Sequence, residues 1–272
     1  MERILFVGSY APTGKPGIQT LQLNDQTGGL RCVSSFSSIE RPSYLALSPD
    51  EKTLYAVSET VSGGSVYAFA VGTDGSLLPR NFLPTSGSAV CHLTVDPQGN
   101  FLLASNYITG ILDVFRLMPC GALATHTCAV QFLGSGPNLQ RQEHAHAHFS
   151  AFSPFNPDRL IAVDLGSDKL WLFQLNRKTG QLLPNGSVSL PAGYGPRHLT
   201  FSSKARDIVY VICELGLRVL TVRIVGNSGS VLQDQSCVPE AFAFEAGASA
   251  IKQSEDGRFV YASTRVTMQG AA

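Results

Sequence analysis

The 272-residue sequence predicts an all-β fold of the β-propeller type, in which small antiparallel sheets are arranged as blades. A strand-like run, a turn of the S-P-D-G type and a second strand-like run recur about every fifty residues. Two further strand-like runs, joined by a D-G or T-G hairpin signal, follow most of these pairs. No stretch shows helical periodicity over three turns, which excludes a solenoid of helices.

Five copies of the first strand pair align on one turn residue. These turn residues are Ser48, Asp96, Ser153, Ser202 and Ser254, with spacings of 48, 57, 49 and 52 residues. Each repeat therefore predicts one four-stranded blade with its first strand innermost. Trp171 and the matching phenylalanines are expected to pack between blades.

The two ends of the chain are out of phase with this repeat. Residues 4–10 match a second strand, so the first blade has no first strand, and the sequence stops just after the second strand of the sixth repeat. The expected total of 21 strands is below the roughly 28 of a closed seven-bladed ring. We expect residues 1–272 to form a single, incomplete seven-bladed-type propeller of about five and a half blades, with an open ring. Its unpaired edges, at residues 4–9 and 259–263, predict self-association.

Composition limits the partners and the compartment. Lys and Arg balance Asp and Glu at 20 each, and only 15% of residues are charged, so neither nucleic acid nor an anionic membrane is an expected partner. No apolar run reaches the length of a membrane span, and the N-terminus lacks a secretory signal. The six cysteines form no CxxC pair and are expected to be buried thiols of a cytoplasmic protein.

Polar residues recur at two positions of the repeat, which the antiparallel pairing places at one end of each sheet. Five residues before the turn residue stand Ser43, Cys91, His148, Arg197 and Ser249. About eleven residues after it stand Glu59, Asn106, Asp164, Glu214 and Arg265. An apolar repeat has no structural need for such a ring, so these positions predict a site at one mouth of the channel.

Four segments, PNLQRQEHAHAHFS, VDLGSDKLWLFQLN, GPRHLTFS and DGRFVYASTR, resemble the lactonase family of seven-bladed β-propellers. The resemblance runs from Val7 to Arg265, with Thr264 where the family usually has Asn, and the last seven residues, VTMQGAA, depart from the family. It implies hydrolysis of a sugar lactone, with 6-phosphogluconolactone of the pentose phosphate pathway as the expected anionic substrate.

The ring positions and the resemblance together give the candidate site residues. The catalytic candidates are His146, His148, Arg197, Glu214 and Arg265, and the substrate-binding candidates are Glu59, Asn106, Asp164 and His198. His146 and His148 match the two motif histidines of the family, and the sequence leaves open which one reaches the substrate. His198 follows Arg197 on a strand and is expected to point away from it.

Three alternating histidines, at 144, 146 and 148, would face one way on a strand and could mimic a metal site. Such a short run needs a ligand from elsewhere, and the family is not metal-dependent, so neither metal nor cofactor is expected. Opening a lactone needs a base for water, donors for the oxyanion and an acid for the leaving alkoxide. Glu214 is expected to be the base, and the arginines suit a phosphate or carboxylate.

Three other hypotheses about the function stay open. The pocket could catalyse the reverse reaction, the closure of a lactone ring, on a carboxylate-rich substrate, as in carboxy-muconate lactonizing enzymes. The propeller could be a binding scaffold without turnover. The chain could also be an inactive, incomplete product.

Overall fold

A computed structural model describes residues 2–239 and 246–266. Over these ranges the chain forms 21 strands in six antiparallel sheets and no helix, which confirms the all-β prediction. The first sheet has three strands, the next four have four each, and the last has two. The chain divides into two compact units, residues 1–130 with 178–181 and residues 131–177 with 182–272, which are described in turn.

The first unit holds three sheets, and apolar side chains fill the space between neighbouring sheets. Ile18, Leu54 and Phe69 are buried between the first sheet and the second, and Tyr55 and Leu102 between the second and the third. The strands are β1 (Glu2–Gly8), β2 (Ile18–Asn24), β3 (Leu30–Phe36), β4 (Leu45–Leu47), β5 (Thr53–Thr60), β6 (Gly63–Val71), β7 (Leu77–Pro84), β8 (Val90–Val95), β9 (Phe101–Asn106), β10 (Ile111–Leu117) and β11 (Leu123–Gln131).

The second unit repeats this construction. Val163, Leu170 and Val211 are buried between its first two sheets, and Ile212 and Ile251 between the second and the third. The first strand of each sheet contacts the first strand of the next, as blades of a propeller do. The strands are β12 (Ala147–Ser153), β13 (Asn156–Asp164), β14 (Lys169–Asn176), β15 (Gln181–Ser189), β16 (Pro196–Phe201), β17 (Ile208–Cys213), β18 (Arg218–Val225), β19 (Ser228–Ser236), β20 (Ala246–Gln253) and β21 (Val260–Val266).

The predicted turn residues close the hairpin between the first and second strands of a repeat. Ser48 Oγ accepts a hydrogen bond from Thr53 N at 3.0 Å, and Ser254 Oγ accepts one from Phe259 N at 3.0 Å. Asp96 Oδ1 does the same for Phe101 N at 2.8 Å. A short side-chain acceptor at this position replaces a backbone partner in the turn, which explains why only Ser and Asp occur there. The turn and the candidate site residues therefore lie at opposite ends of each strand pair.

A β-bulge lies at the site end of three first strands. The pairing register passes over Cys91 between β8 and β9, over His148 between β12 and β13, and over Arg197 between β16 and β17. A bulge adds one residue to one strand, interrupts the alternation of side chains and re-aims the inserted residue. The three bulged residues stand at the repeat position that the sequence singled out as polar.

The cysteines differ in part from the prediction. All six are free thiols, but Cys32 and Cys120 are exposed because they lie on an outer strand and in a turn. Burial raises the pKa of the Cys213 thiol, which keeps it protonated. Within the described ranges, no helix has the length and apolar character needed to cross a membrane.

Candidate active site

Glu214 is the centre of an arginine cluster in the second unit. It directly follows β17 and is buried, with 4% of its surface exposed. Its Oε2 accepts a hydrogen bond from Arg197 Nε at 2.9 Å. Its Oε1 accepts from Arg141 Nη2 at 2.9 Å and from Arg265 Nη2 at 3.2 Å. The structure thus brings together the predicted residues Arg197, Glu214 and Arg265.

Arg197 is the most buried of the three arginines, and its side chain is 14% exposed. Its Nη1 donates to the carbonyl of Ser249 at 2.9 Å, which ties the guanidinium to β20. The same Nη1 lies 3.3 Å from Nε2 of His198. The expectation that these two neighbours point apart is therefore wrong, because the bulge at Arg197 interrupts the strand alternation on which it rested.

His198 is a partly buried neighbour of the cluster. Its ring packs on Phe149 at a centroid distance of 4.8 Å and on His148 at 5.3 Å. Burial, and then the positive charges of Arg197, Lys252 and Arg265, lower the pKa of His198 to about 3. His198 is thus a neutral imidazole at physiological pH that contacts both Arg197 and His148.

The three alternating histidines do not share a strand face. β12 begins at Ala147, so His144 and His146 lie in the preceding loop, and only His148 is on the strand. The rings of His144 and His146 lie 4.4 Å apart, whereas His148 contacts His198. The expectation that all three histidines face one way is therefore wrong, because the strand begins later than the alternation suggested.

Asp164 is predicted to bind substrate, but it is fully buried and holds the turn after β13. Its Oδ1 accepts from the backbone N–H groups of His146, Gly166 and Ser167 at 2.8, 3.1 and 3.2 Å. Its Oδ2 accepts from the Ser167 hydroxyl and from Trp171 Nε1, the latter at 3.2 Å. Five hydrogen bonds saturate this carboxylate, so its observed role is structural.

Glu59 and Asn106 belong to the first unit. Glu59 is partly exposed and accepts a hydrogen bond from the Ser43 hydroxyl. Asn106 is fully buried, and its Nδ2 donates to Asp113 Oδ2 at 2.8 Å. Asp113 also lies 2.7 Å from His126 Nε2. The amide N–H₂ group of Asn106 thus belongs to an internal polar network, whereas its Oδ1 has no hydrogen-bond partner among the described residues, and the expected substrate contact stays a prediction.

Sequence reasoning missed Arg141 and the loop that carries it. The signal was present, since Arg141 lies inside one of the four segments that resemble the family. The next residue, Gln142, is fully buried and donates from Nε2 to the carbonyl of Leu165 at 2.9 Å. This anchor fixes the loop and directs Arg141 towards Glu214.

The cluster carries a formal excess of two positive charges, because three guanidinium groups surround one carboxylate. The side chains of Arg141 and Arg265 are 42% and 55% exposed, so solvent and small solutes reach them. Guanidinium groups bind phosphate and carboxylate through paired hydrogen bonds. The arrangement is therefore suited to a small anion with a charge near −2.

Repeated four-stranded antiparallel sheets with a polar site at their strand ends define a protein of the β-propeller class. The sequence profile of the family described as "Lactonase, 7-bladed beta-propeller" matches residues 4–269. The chain belongs to this lactonase family, which confirms the resemblance found in the sequence.

Named relatives and solved structures agree with this assignment. The chain is 33% identical to 6-phosphogluconolactonase of Bacillus subtilis, over 96% of its own length and 74% of that protein. It is 32% identical to 6-phosphogluconolactonase of Formosa agariphila, over 96% and 75%. A crystal structure from Lactobacillus plantarum has a TM-score of 0.90 at 28% identity, covering 98% of this chain and 76% of the other. The periplasmic gluconolactonase of Pseudomonas aeruginosa has a TM-score of 0.86 at 25% identity, covering 98% and 77%.

Proposed function

We propose that this protein hydrolyses 6-phosphogluconolactone to 6-phosphogluconate. The observation that carries the proposal is the cluster of Arg141, Arg197 and Arg265 around Glu214. Its formal excess of two positive charges complements a phosphate monoester, which carries about −1.5 to −2 at neutral pH. Relatives named 6-phosphogluconolactonase support the choice of substrate.

The proposed reaction is hydrolysis of the lactone carbonyl. Water attacks the carbonyl carbon, the new C–O bond forms, and the ring C–O bond breaks. The proton that water loses ends on the leaving alkoxide, and an imidazole at His148 or His146 accepts and returns it. The guanidinium groups hold the phosphate or stabilise the developing oxyanion.

Glu214 receives a different role from the one the sequence suggested. Both of its oxygens accept hydrogen bonds from guanidinium groups, so the carboxylate orients the arginines. We assign Glu214 as a positioning residue and leave the proton transfer to histidine. The variants His146→Gln and His148→Gln, assayed side by side, separate the two histidines by their loss of kcat.

The direct test measures 6-phosphogluconolactone hydrolysis by the purified chain against the spontaneous rate. Arg197→Ala is expected to lose most of the activity, and the control Arg223→Ala, from the exposed pair with Asp207, should keep it. A wild-type rate equal to the spontaneous rate would overturn the proposal. Turnover of a carboxylated muconolactone in the same assay would favour the lactonizing reading instead.

We also propose that residues 1–272 act as one propeller domain of the seven-bladed type in the cytoplasm, and cell fractionation tests the compartment. Among the described residues, β1 and β21 each pair with a strand on one side only. Such edges support the proposed self-association. The expected open ring stays a prediction, which solution scattering tests.

A further inference from the structure

We infer that Glu143, His144 and His146 form a binding site for one divalent transition-metal ion, with Zn²⁺ as the reference ligand. The proposed lactone hydrolysis does not require this ion when His148 carries the proton, since an imidazole that binds a metal cannot also accept one; the site is then an additional property of the chain. The three side chains lie in the loop before β12, and one potential ligand atom from each lies within 4.8 Å of the others.

The distances suit a shared ion better than direct hydrogen bonds. Glu143 Oε1 lies 3.4 Å from His144 Nε2, and Glu143 Oε2 lies 3.4 Å from His146 Nε2. Charge-assisted N–H···O bonds are shorter, at about 2.7–2.9 Å. In a tetrahedral site with metal–ligand bonds of about 2.0–2.1 Å, neighbouring ligand atoms are about 3.3–3.4 Å apart. Each Glu143–histidine separation is close to that edge length, and each is made by a different oxygen of the carboxylate.

The tautomer of His144 is suitable for metal binding. Its Nδ1 lies 2.9 Å from the carbonyl oxygen of Ala145, so Nδ1 carries the proton and donates to that oxygen. In the neutral ring Nε2 then carries the lone pair, and this atom lies 3.4 Å from Glu143 Oε1. Such a bond from the second ring nitrogen orients the ligating nitrogen in metal-binding histidines.

Hydrogen bonds to the turn after β13 hold the backbone of the loop in place. His146 N donates to Asp164 Oδ1 at 2.8 Å, and Leu165 N donates to the His146 carbonyl at 3.0 Å. A Cβ at Gly166 would lie 1.8 Å from the His144 carbonyl oxygen, so only glycine permits this close approach. The ligands therefore sit on a fixed loop, which lowers the cost of organising them around an ion.

Charge and access also favour a cation. Glu143 and His144 side chains are 46% and 49% exposed, while His146 is 4% exposed, so an ion enters from solvent and keeps water as its remaining ligand. Two imidazoles with one carboxylate select Zn²⁺, Co²⁺, Ni²⁺ or Cu²⁺ over Mg²⁺ or Ca²⁺.

The test measures Zn²⁺ binding to the purified full chain by competition with a chromophoric chelator, without any lactone present. The protein carries Cys32→Ser and Cys120→Ser, because both thiols are exposed and thiolates are good zinc ligands that would compete in the assay. This protein, with Glu143, His144 and His146 unchanged, should bind one Zn²⁺ per chain. His144→Ala and Glu143→Gln should each weaken binding by more than about 100-fold, since outer-shell changes alone cost about 10–100-fold.

The control is His126→Gln, which removes another partly exposed imidazole and should leave the zinc affinity unchanged. Bound Co²⁺ should give the absorption of a tetrahedral or five-coordinate site in the control and lose it in His144→Ala. No stoichiometric binding, or equal binding in all variants, would overturn the inference. Because the assay contains no substrate, its failure leaves the proposed lactonase function untouched, and a chain without lactonase activity could still bind zinc.

Discussion

Replacing Glu214 with Gln should destabilise the protein and lower its activity together. Gln keeps one acceptor of similar shape but places an amide N–H₂ where Arg197 Nε now donates at 2.9 Å. Removing one partner of a fully buried ion pair costs about 3–5 kcal/mol. Contacts to the half-exposed Arg141 and Arg265 add at most about 1 kcal/mol each. Because Gln retains some hydrogen bonding, we expect a loss of about 2–4 kcal/mol in the free energy of unfolding.

Urea unfolding followed by circular dichroism measures this change, and 6-phosphogluconolactone turnover measures the effect on the site. The matched control is Asp207→Asn, which removes a carboxylate from an exposed pair with Arg223 and should cost less than about 1 kcal/mol. Glu214→Gln should also lower kcat/KM, since the arginines lose their common anchor. Unchanged urea midpoint and activity in Glu214→Gln would refute the assignment of Glu214 as a positioning residue.

Three further predictions follow from the same unit and from the sheet edges. The free energy of unfolding should fall as pH drops from about 6.5 towards about 3, because His198 stays neutral when folded and takes up a proton when unfolded. In His198→Gln, the difference between the free energies of unfolding at pH 7 and pH 5 should be smaller than in wild type. An equally large difference would contradict the prediction. Asp164→Asn should cost more than about 2 kcal/mol in urea unfolding, because the new N–H₂ cannot accept from Ser167 or Trp171; wild-type stability would show that the turn does not depend on this carboxylate. Size-exclusion chromatography should show that the protein associates as its concentration rises. Tyr261→Lys should reduce this association, because it places a charge on the edge strand β21. A monomer at all concentrations would count against edge pairing.

The strand pairs and their turns follow from local chemistry, which is why the sequence predicts them well. Ser48, Asp96 and Ser254 each bond to the backbone of their own turn, so the signal lies within six residues. The grouping of Arg197 with Glu214 was also predictable, because antiparallel pairing places these repeat positions at one end of a sheet.

The remaining features depend on tertiary structure. A bulge at His148 or Arg197 leaves no mark in the alternation of apolar residues, so the orientation of His198 was mispredicted. The same residue type at a strand end serves different purposes, since Asp164 is saturated by its own turn while Glu214 binds side chains from three segments. Arg141 reaches Glu214 from a loop 73 positions earlier in the chain, a contact that no repeat pattern contains.

The central claim is that the arginine cluster recognises the phosphate of the substrate. Its most direct test compares kcat/KM for 6-phosphogluconolactone and for unphosphorylated gluconolactone in wild type and in Arg141→Ala, with Arg223→Ala as the control. Arg141→Ala should lower kcat/KM for the phosphorylated lactone by about 10–100-fold, the value of a charged hydrogen bond, and leave the unphosphorylated lactone nearly unchanged. An equal loss for both lactones, or no loss for either, would contradict the claim.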